Sequence, residues 1–323
     1  MKIIFFGTPN FASEILKSIY KEHEVLSIVT AEDSQKGRGK KYKSPSVKLI
    51  AEELKIPVIQ PKNLKDPNFI NQLKNLNADL YVVIAFRMLP ESVWNIPKLG
   101  TINIHTSYLP NYRGAAPINW VLINGEKATG VTSFYINNEI DKGNILLQEK
   151  IELSDNITAA QLHEQLIVSG TKVIIQTLEK ISKNKITSVQ QNEEQNQKNA
   201  PKIHKDLSKI NWGDSIKNIH NKIRGLSSYI NDEILLKDVS ICPCAWFEIK
   251  INTEFKRVKI QKSHITDVIN KNVIIDTDNK NFLNINCGQQ ALSLDYLQIE
   301  GKKAMNIKQF LQGNNINSSD IIR

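Results

Sequence analysis

Two polar residues, Asn103 and His105, stand at alternate positions in the apolar stretch GTINIH at 100–105. This stretch is typical of a β-strand, in which alternate side chains point to the same face. We therefore expect the amide and the imidazole to project together from the carboxyl end of the strand. There they could stabilise an oxyanion while one of the two groups handles a proton. The other histidines lack comparable neighbours, and we interpret them as structural: His23, His163, His204, His220 and His264.

A third candidate is Asp141, in the turn Asp141-Lys142-Gly143 that follows an apolar stretch at 129–136. An acidic residue in a glycine-containing turn is usually a surface turn former. If 129–136 is another strand of the same parallel sheet, however, Asp141 should also lie near the carboxyl edge, where ligands bind. A carboxylate near His105 would favour the imidazolium or orient the ring.

The elements that must position these residues alternate between short apolar runs and helical patterns up to about residue 185. This alternation predicts a parallel α/β sheet. The expected strands are 2–7, 25–30, 79–85, 100–105 and 129–136, and the expected helices are near 10–22, 46–54, 67–75, 115–124 and 157–182. The first loop has Gly7 but lacks the further glycines of a dinucleotide fingerprint, and Pro9 removes a backbone donor, which disfavours a nicotinamide or flavin dehydrogenase.

The pattern changes after a segment at 190–199, in which seven of ten residues are Gln or Asn. Such a composition has almost nothing to bury and indicates a solvated linker. Beyond it, a helix near 213–224 precedes five short strand-like runs without intervening helices. This succession predicts a small antiparallel barrel of the OB type. The five runs are 245–251, 256–262, 272–276, 281–286 and 291–299.

Charge and cysteine content restrict the possible classes of protein. The net charge of +9 suits a polyanionic partner, although charge alone is weak support. Three cysteines do not build a disulfide framework, and no ligand cluster for a metal is evident. The apolar run in MKIIFFG is too short for a signal peptide, and no stretch is long enough to cross a bilayer. We expect a cytoplasmic protein that needs no metal and no membrane.

A basic segment from Lys36 to Lys48 holds six cations and no acidic residue. It is either a solvated loop or a flexible arm that closes on phosphates and contributes salt-sensitive affinity.

The string N-x-H-x-S-x-L-P at 103–110, followed by YRGAAPI at 112–118, resembles the active-site region of the folate-dependent formyltransferases. Further stretches resemble the members of that family that act on methionyl-tRNA, in the same order along nearly the whole chain. They are FFGTPNFA, KGRGKKYKSPSVK, the IDKG turn, APKI and LQIEGKKAMNIKQFLQG.

The resemblance implies transfer of a formyl group from 10-formyltetrahydrofolate to the α-amino group of methionine on initiator tRNA. It implies a Rossmann-like catalytic domain at 1–189, a linker at 190–205 and an OB-like tRNA-binding domain at 206–323, in a chain that we expect to be monomeric. The implied catalytic trio is Asn103, His105 and Asp141. The implied donor-binding residues are Phe86, Arg87, Met88, Ser107, Tyr108, Leu109 and Pro110. The implied tRNA-binding residues are Lys36, Arg38, Lys40, Lys41 and Lys43.

Three departures from the family pattern do not touch the trio. The segment 85–90 is shorter than in many relatives, 31–35 precedes the basic segment without the proline-rich hinge often seen there, and 230–242 is an insertion before the barrel. The catalytic motif alone also fits relatives that formylate amino sugars or glycinamide ribonucleotide, or that hydrolyse the folate donor. The basic segment and the barrel favour tRNA. A non-catalytic RNA-binding protein is the alternative from another class, but it gives no reason for the trio to occur together.

Overall fold

The computed structural model describes residues 1–36, 41–192, 197–237, 241–251, 254–267, 274–318 and 322. The chain forms two units. The first comprises 1–114, 130–151 and 165–199, and the second comprises 115–129, 152–164 and 200–323. Each unit is therefore built from several stretches of chain. The division at 1–189, 190–205 and 206–323 follows chain order and stays a proposal.

The helices and strands succeed one another as follows. The chain begins with β1 (Lys2–Gly7), α1 (Asn10–Glu22), β2 (Glu24–Val29), β3 (Ser34–Lys36), β4 (Lys41–Lys43), α2 (Ser46–Glu53), β5 (Val58–Ile59), α3 (Pro67–Asn75), β6 (Leu80–Ile84), α4 (Glu91–Trp94), β7 (Thr101–His105) and β8 (Arg113–Gly114). It continues with α5 (Pro117–Ile123), β9 (Ala128–Tyr135), β10 (Ile145–Glu152), α6 (Ala159–Ser182), β11 (Asn199–Ala200), a 3-10 helix (Lys205–Ser208) and α7 (Ile216–Leu226). It ends with β12 (Ala245–Ile251), β13 (Glu254–Asp267), β14 (Ile275–Thr277), β15 (Leu283–Cys287), β16 (Gln290–Ile299), β17 (Met305–Asn306) and α8 (Ile307–Gln312).

The main sheet of the first unit has the strand order β10-β9-β7-β6-β1-β2-β5. The pairings β1–β2, β1–β6, β6–β7 and β2–β5 are parallel, which confirms the predicted parallel α/β sheet. The prediction that 129–136 continues the parallel sheet is wrong, because β9 runs antiparallel to β7. A buried apolar run indicates a strand in a core, but it does not encode the direction of that strand.

The first strand and helix illustrate how the sequence builds this unit. β1 is buried from Ile3 onward, as expected for a strand covered on both faces. The helix α1 buries Phe11, Ile15 and Ile19, which recur at helical spacing. Gly7 joins the two elements where no side chain fits: a Cβ there would lie 2.7 Å from the Phe5 ring and 2.8 Å from Cβ of Ala12.

The second unit contains an antiparallel sheet in the order β12-β13-β16-β15-β14, with β17 paired to β16. Within the described part of the chain no pairing joins β12 to β14, so the sheet forms a half-barrel. Its core contains Phe247, Leu292 and Phe310, together with Ile219 and Ile223 from α7. The Ser215 hydroxyl caps α7 by accepting a hydrogen bond from the backbone N–H of Asn218. The predicted antiparallel OB-like domain is confirmed at this level.

The described part of the 230–242 insertion is attached to this half-barrel through Asp232. Its carboxylate accepts a hydrogen bond from the Tyr229 hydroxyl at 2.6 Å, and its backbone carbonyl accepts one from the Tyr296 hydroxyl at 2.9 Å. Within the described ranges, no helix is long and apolar enough to cross a membrane.

Candidate active site

Asn103 and His105 lie on β7, with Asn103 opposite Phe134 and His105 opposite Thr132 on β9. The imidazole of His105 is 7% exposed. The side-chain oxygen Oδ1 of Asn103 is buried and has no hydrogen-bond partner among the described residues. A buried acceptor that is left unpaired costs free energy, and such atoms are typical of sites where a ligand completes the bonding.

The proton on His105 is positioned by a backbone group. Nε2 lies 2.8 Å from the carbonyl oxygen of Tyr112. Because a carbonyl only accepts hydrogen bonds, Nε2 carries a proton in both the neutral and the charged ring. Nδ1 is therefore the atom at which His105 gains or loses its second proton.

Asp141 faces that atom. Its Oδ2 lies 3.7 Å from Nδ1 of His105 and accepts a hydrogen bond from the backbone N–H of Gly114 at 2.9 Å. Asp141 has a positive φ of 54°, and the next residue but one, Gly143, cannot carry a side chain, since a Cβ would lie 1.5 Å from the Tyr135 carbonyl oxygen. The prediction that Asp141 follows a parallel strand is wrong, because β9 is antiparallel to β7. The loop between β9 and β10 nevertheless brings the carboxylate to His105.

The loop after β7 is held by two side chains that sequence reasoning missed. Oγ1 of Thr132 donates to the Ser107 carbonyl at 2.8 Å and accepts from the Leu109 N–H at 3.1 Å. Nε2 of Gln148 donates to the Leu109 carbonyl at 2.8 Å and to Oγ1 of Thr132 at 2.9 Å. Both residues lie on strands distant in sequence, so no local motif could have indicated them.

The residues expected to bind the donor differ in what they present. Tyr108 and Met88 are exposed, at 45% and 65%, and can offer their side chains to a ligand. Ser107 and Leu109 are buried, and the Ser107 hydroxyl donates to the Asn111 carbonyl. Any contact from these two residues to a donor would have to come from the main chain. Pro110 follows Leu109 through a cis peptide bond.

Arg87 supports the neighbouring loop at 61–62, and Phe86 packs against β1. The guanidinium of Arg87 donates to the backbone carbonyls of Lys62, at 3.0 Å, and of Pro61. The Phe86 ring packs against Phe6 with a centroid distance of 5.8 Å. Arg87 therefore acts first as a support for the loop at 61–62.

A buried glutamine from the Gln/Asn-rich segment also reaches this site. Gln191 is 6% exposed, and its Nε2 donates to the carbonyls of Asp141 and Gly143, both at 2.8 Å. Its Oε1 accepts two hydrogen bonds from the guanidinium of Arg113, at 2.6 and 3.1 Å. The interpretation of 190–199 as a uniformly solvated linker is wrong at this residue, because composition reports average polarity and not the partners of one side chain.

The basic segment begins in a hairpin, and its last cation, Lys48, lies in α2. β3 and β4 pair antiparallel, with Lys36 opposite Lys41 and Ser34 opposite Lys43. Arg38 and Lys40 lie outside the described residues, so their assignment to tRNA stays a prediction. Near the hairpin, Lys48 pairs with Asp33 at 2.7 Å, and the hydrogen bond from Lys48 lowers the pKa of the Asp33 carboxyl.

The site brings together an amide, an imidazole and a carboxylate, which are groups that can support acyl-type group transfer. The formyl transferase family matches residues 1–178, and the C-terminal domain model of the same family matches 202–315. The chain therefore belongs to the formyl transferase family.

Its relatives within that class are methionyl-tRNA formyltransferases. The chain is 42% identical to the one from Thermodesulfovibrio yellowstonii, over 98% of this chain and 96% of the relative. It is 40% identical to the one from Flavobacterium johnsoniae, over 97% of this chain and 96% of the relative.

The fold is also similar to that of solved formyltransferases. WlaRD, described as a sugar 3N-formyl transferase, matches with a TM-score of 0.63 and 23% identity over 94% of this chain and 99% of that one. An N-formyltransferase from Helicobacter canadensis, solved with folinic acid and dTDP-3-aminofucose, matches with a TM-score of 0.62 and 22% identity over 91% and 99%. At these identities the likeness shows the fold alone.

Proposed function

We propose that the chain transfers the formyl group of 10-formyltetrahydrofolate to the α-amino group of methionine on initiator methionyl-tRNA, for translation initiation. The observation that supports this proposal most is that Asp141 lies close to His105, which shares its strand with Asn103. The chain that holds these residues is similar to methionyl-tRNA formyltransferases over nearly its full length. We further propose that it works as a cytoplasmic monomer.

The residues of the site fit a formyl-folate donor. The unpaired Oδ1 of Asn103 offers a buried polar atom, and the exposed Tyr108 and Met88 offer apolar surface. Donor contacts would come from these side chains, from Phe86, and from the main chain of Arg87, Ser107, Leu109 and Pro110. The donor supplies an activated formyl carbon.

The trio supports the transfer through charge and proton handling. A bond forms between the methionine nitrogen and the formyl carbon, the bond from that carbon to the folate nitrogen breaks, and one proton passes from the amine to the folate nitrogen. Asn103 donates its amide to the formyl oxygen as negative charge develops there. His105 holds the transferable proton at Nδ1, and Asp141 stabilises the charged ring.

The second unit offers cations for the tRNA backbone. On β12, the Trp246 ring is contacted by Arg257, 4.0 Å from its centroid, and by Lys209, at 5.5 Å. Lys259 lies opposite Trp246 on β13. Cations grouped around an aromatic ring are suited to phosphates and unstacked bases. We propose that this face and the basic segment with Lys36, Arg38, Lys40, Lys41 and Lys43 bind the tRNA.

The test is formyl transfer from 10-formyltetrahydrofolate to methionyl initiator tRNA, with an amino-sugar nucleotide and glycinamide ribonucleotide as parallel acceptors. We expect fast transfer to the charged tRNA alone. Transfer to a small acceptor alone would overturn the choice of substrate, and no transfer to any acceptor would overturn the activity.

A further inference from the structure

The segment 190–199 contacts Asp141 near one end and, near the other, Tyr112, which is a hydrogen-bond neighbour of His105. At one end Gln191 donates to the carbonyls of Asp141 and Gly143. At the other end the carbonyl of Lys198 accepts a hydrogen bond from the N–H of Tyr112, the residue whose own carbonyl contacts Nε2 of His105. One stretch of chain thus supports the backbone on both sides of the His105–Asp141 pair.

The orientation of the Gln191 amide follows from its partners. The guanidinium of Arg113 can only donate hydrogen bonds, so the amide oxygen of Gln191 must face it. The backbone carbonyls of Asp141 and Gly143 can only accept hydrogen bonds, so the amide nitrogen of Gln191 must face them. The same guanidinium donates through its other terminal nitrogen to Oε1 of Gln197 at 2.9 Å. Arg113 is 9% exposed, so these bonds are little weakened by competing water.

The turn that Gln191 holds needs support. Asp141 has a left-handed backbone conformation, which a residue other than glycine adopts at a cost unless its neighbours hold it there. Hydrogen bonds to the carbonyls of residues 141 and 143 restrain the 141–142 and 143–144 peptides, which follow that conformation. The carboxylate is then directed towards Nδ1 of His105 and the N–H of Gly114.

We propose that Gln191 is a positioning residue of the formyl transfer reaction, which sets the place of the Asp141 carboxylate with Arg113 as its support. Gln191 touches neither substrate, and it acts through Asp141. This inference rests on the proposed function and adds a residue from outside the catalytic motif.

The test compares two variants of Gln191. Gln191→Met keeps the side-chain volume and loses all the side-chain hydrogen bonds. Gln191→Glu keeps an oxygen that accepts hydrogen bonds from Arg113, but it loses the N–H group that donates to the carbonyls of Asp141 and Gly143. Gln190→Met is the matched control, because Gln190 is the exposed neighbour. We expect both Gln191 variants to lower kcat about 10- to 100-fold, the range that a displaced catalytic group produces, with KM for donor and tRNA changed less than about twofold. The control should keep the native kcat.

A double-mutant cycle separates positioning from a loss of stability. In an Asp141→Asn background, Gln191→Met should lower the remaining single-turnover rate less than about twofold, since the carboxylate through which it acts is gone. An equal loss in both backgrounds would overturn the proposal. So would native kcat in Gln191→Glu, the variant that keeps its bonds to Arg113 and is therefore expected to fold.

The hydrogen-exchange rate of the Gly114 amide can be measured without tRNA or the formyl donor. This amide donates to Oδ2 of Asp141, so it should exchange at least about tenfold faster in Gln191→Met than in Gln190→Met. If the native chain transferred no formyl group, the proposed function would be wrong. The exchange rate of the Gly114 amide would still show whether Gln191 holds Asp141 in place. Unchanged exchange would overturn the positioning role by itself.

Discussion

Oδ2 of Asp141 lies 3.7 Å from Nδ1 of His105 while it accepts a hydrogen bond from the backbone N–H of Gly114. The carboxylate is thus held by a backbone donor and still faces Nδ1 of the ring. Since Nε2 of His105 faces the Tyr112 carbonyl, Nδ1 is the ring nitrogen left for the proposed proton transfer.

Asp141→Asn tests this relationship without altering the backbone, because asparagine tolerates a positive φ. We expect kcat to fall by about 10²- to 10⁴-fold, the range for loss of an acid–base group, with little change in Tm. Single-turnover transfer and thermal unfolding measure the two quantities. Glu139→Gln, an exposed substitution in the same loop, is the control. Near-native kcat in the Asp141→Asn variant would remove Asp141 from the trio.

Asn103→Ala should lower kcat by about 10²- to 10³-fold, as loss of one oxyanion donor does. KM for 10-formyltetrahydrofolate should change much less, because the negative charge on the formyl oxygen develops only during the transfer. Steady-state kinetics with varied donor separate the two constants. A large rise in KM with native kcat would instead make Asn103 a residue for donor binding.

Gly143→Ala should disrupt the loop that carries Asp141, because a Cβ at this position would lie 1.5 Å from the Tyr135 carbonyl oxygen. We expect a loss in the free energy of unfolding of about 3 kcal/mol or more, measured by denaturant titration. Gly313→Ala is the control, since nothing lies within 4 Å of its Cβ position. Equal effects of the two substitutions would contradict the close packing at Gly143.

His220 should make the second unit sensitive to acid. Burial lowers the pKa of this imidazole below its usual 6.5, while its ring contacts the Ser263 hydroxyl and the Asp155 carbonyl. Below pH 6.5, His220 is therefore protonated more fully in the unfolded chain than in the folded chain. The contribution of His220 to the unfolding free energy is fully present above pH 6.5 and is lost as the pH falls below it. The slope for one such proton is at most about 1.4 kcal/mol per pH unit.

His220→Gln should reduce this slope, measured as the difference in unfolding free energy between about pH 7.5 and about pH 5.5, roughly one unit either side of the reference value. His23, whose pKa is also lowered chiefly by burial, remains in both proteins and cancels in the comparison. A slope unchanged by the substitution would show that the acid sensitivity arises elsewhere.

Arg38→Ala should weaken the use of charged tRNA and leave binding of the formyl donor nearly intact, because a cation in a basic segment contributes mainly to phosphate contacts. The expected result is a higher KM for methionyl-tRNA and a weaker dependence of that KM on salt. Titration of both substrates at two salt concentrations measures this. An equal rise in the donor Kd would show that the segment does not act on tRNA alone.

Much of the molecule could be predicted from local pattern. The two-residue period of a strand placed Asn103 and His105 together, and helical spacing located α1 and α3 at 10–22 and 67–75. The succession of short strands without helices predicted the antiparallel second sheet. These features depend on neighbours within a few residues, where backbone geometry and burial leave a periodic signal in the sequence.

The remaining features were decided by tertiary contacts. The direction of β9 depends on its pairing with β7, and the approach of Asp141 to His105 depends on the loop that follows β9. Gln191 binds a turn 50 residues away along the chain, although its neighbours in sequence have the composition of a solvated linker. A single hydrogen bond between residues so far apart leaves no periodic pattern in the sequence and does not alter the average composition of a segment. Only the folded chain could therefore show that Gln191 contacts the site.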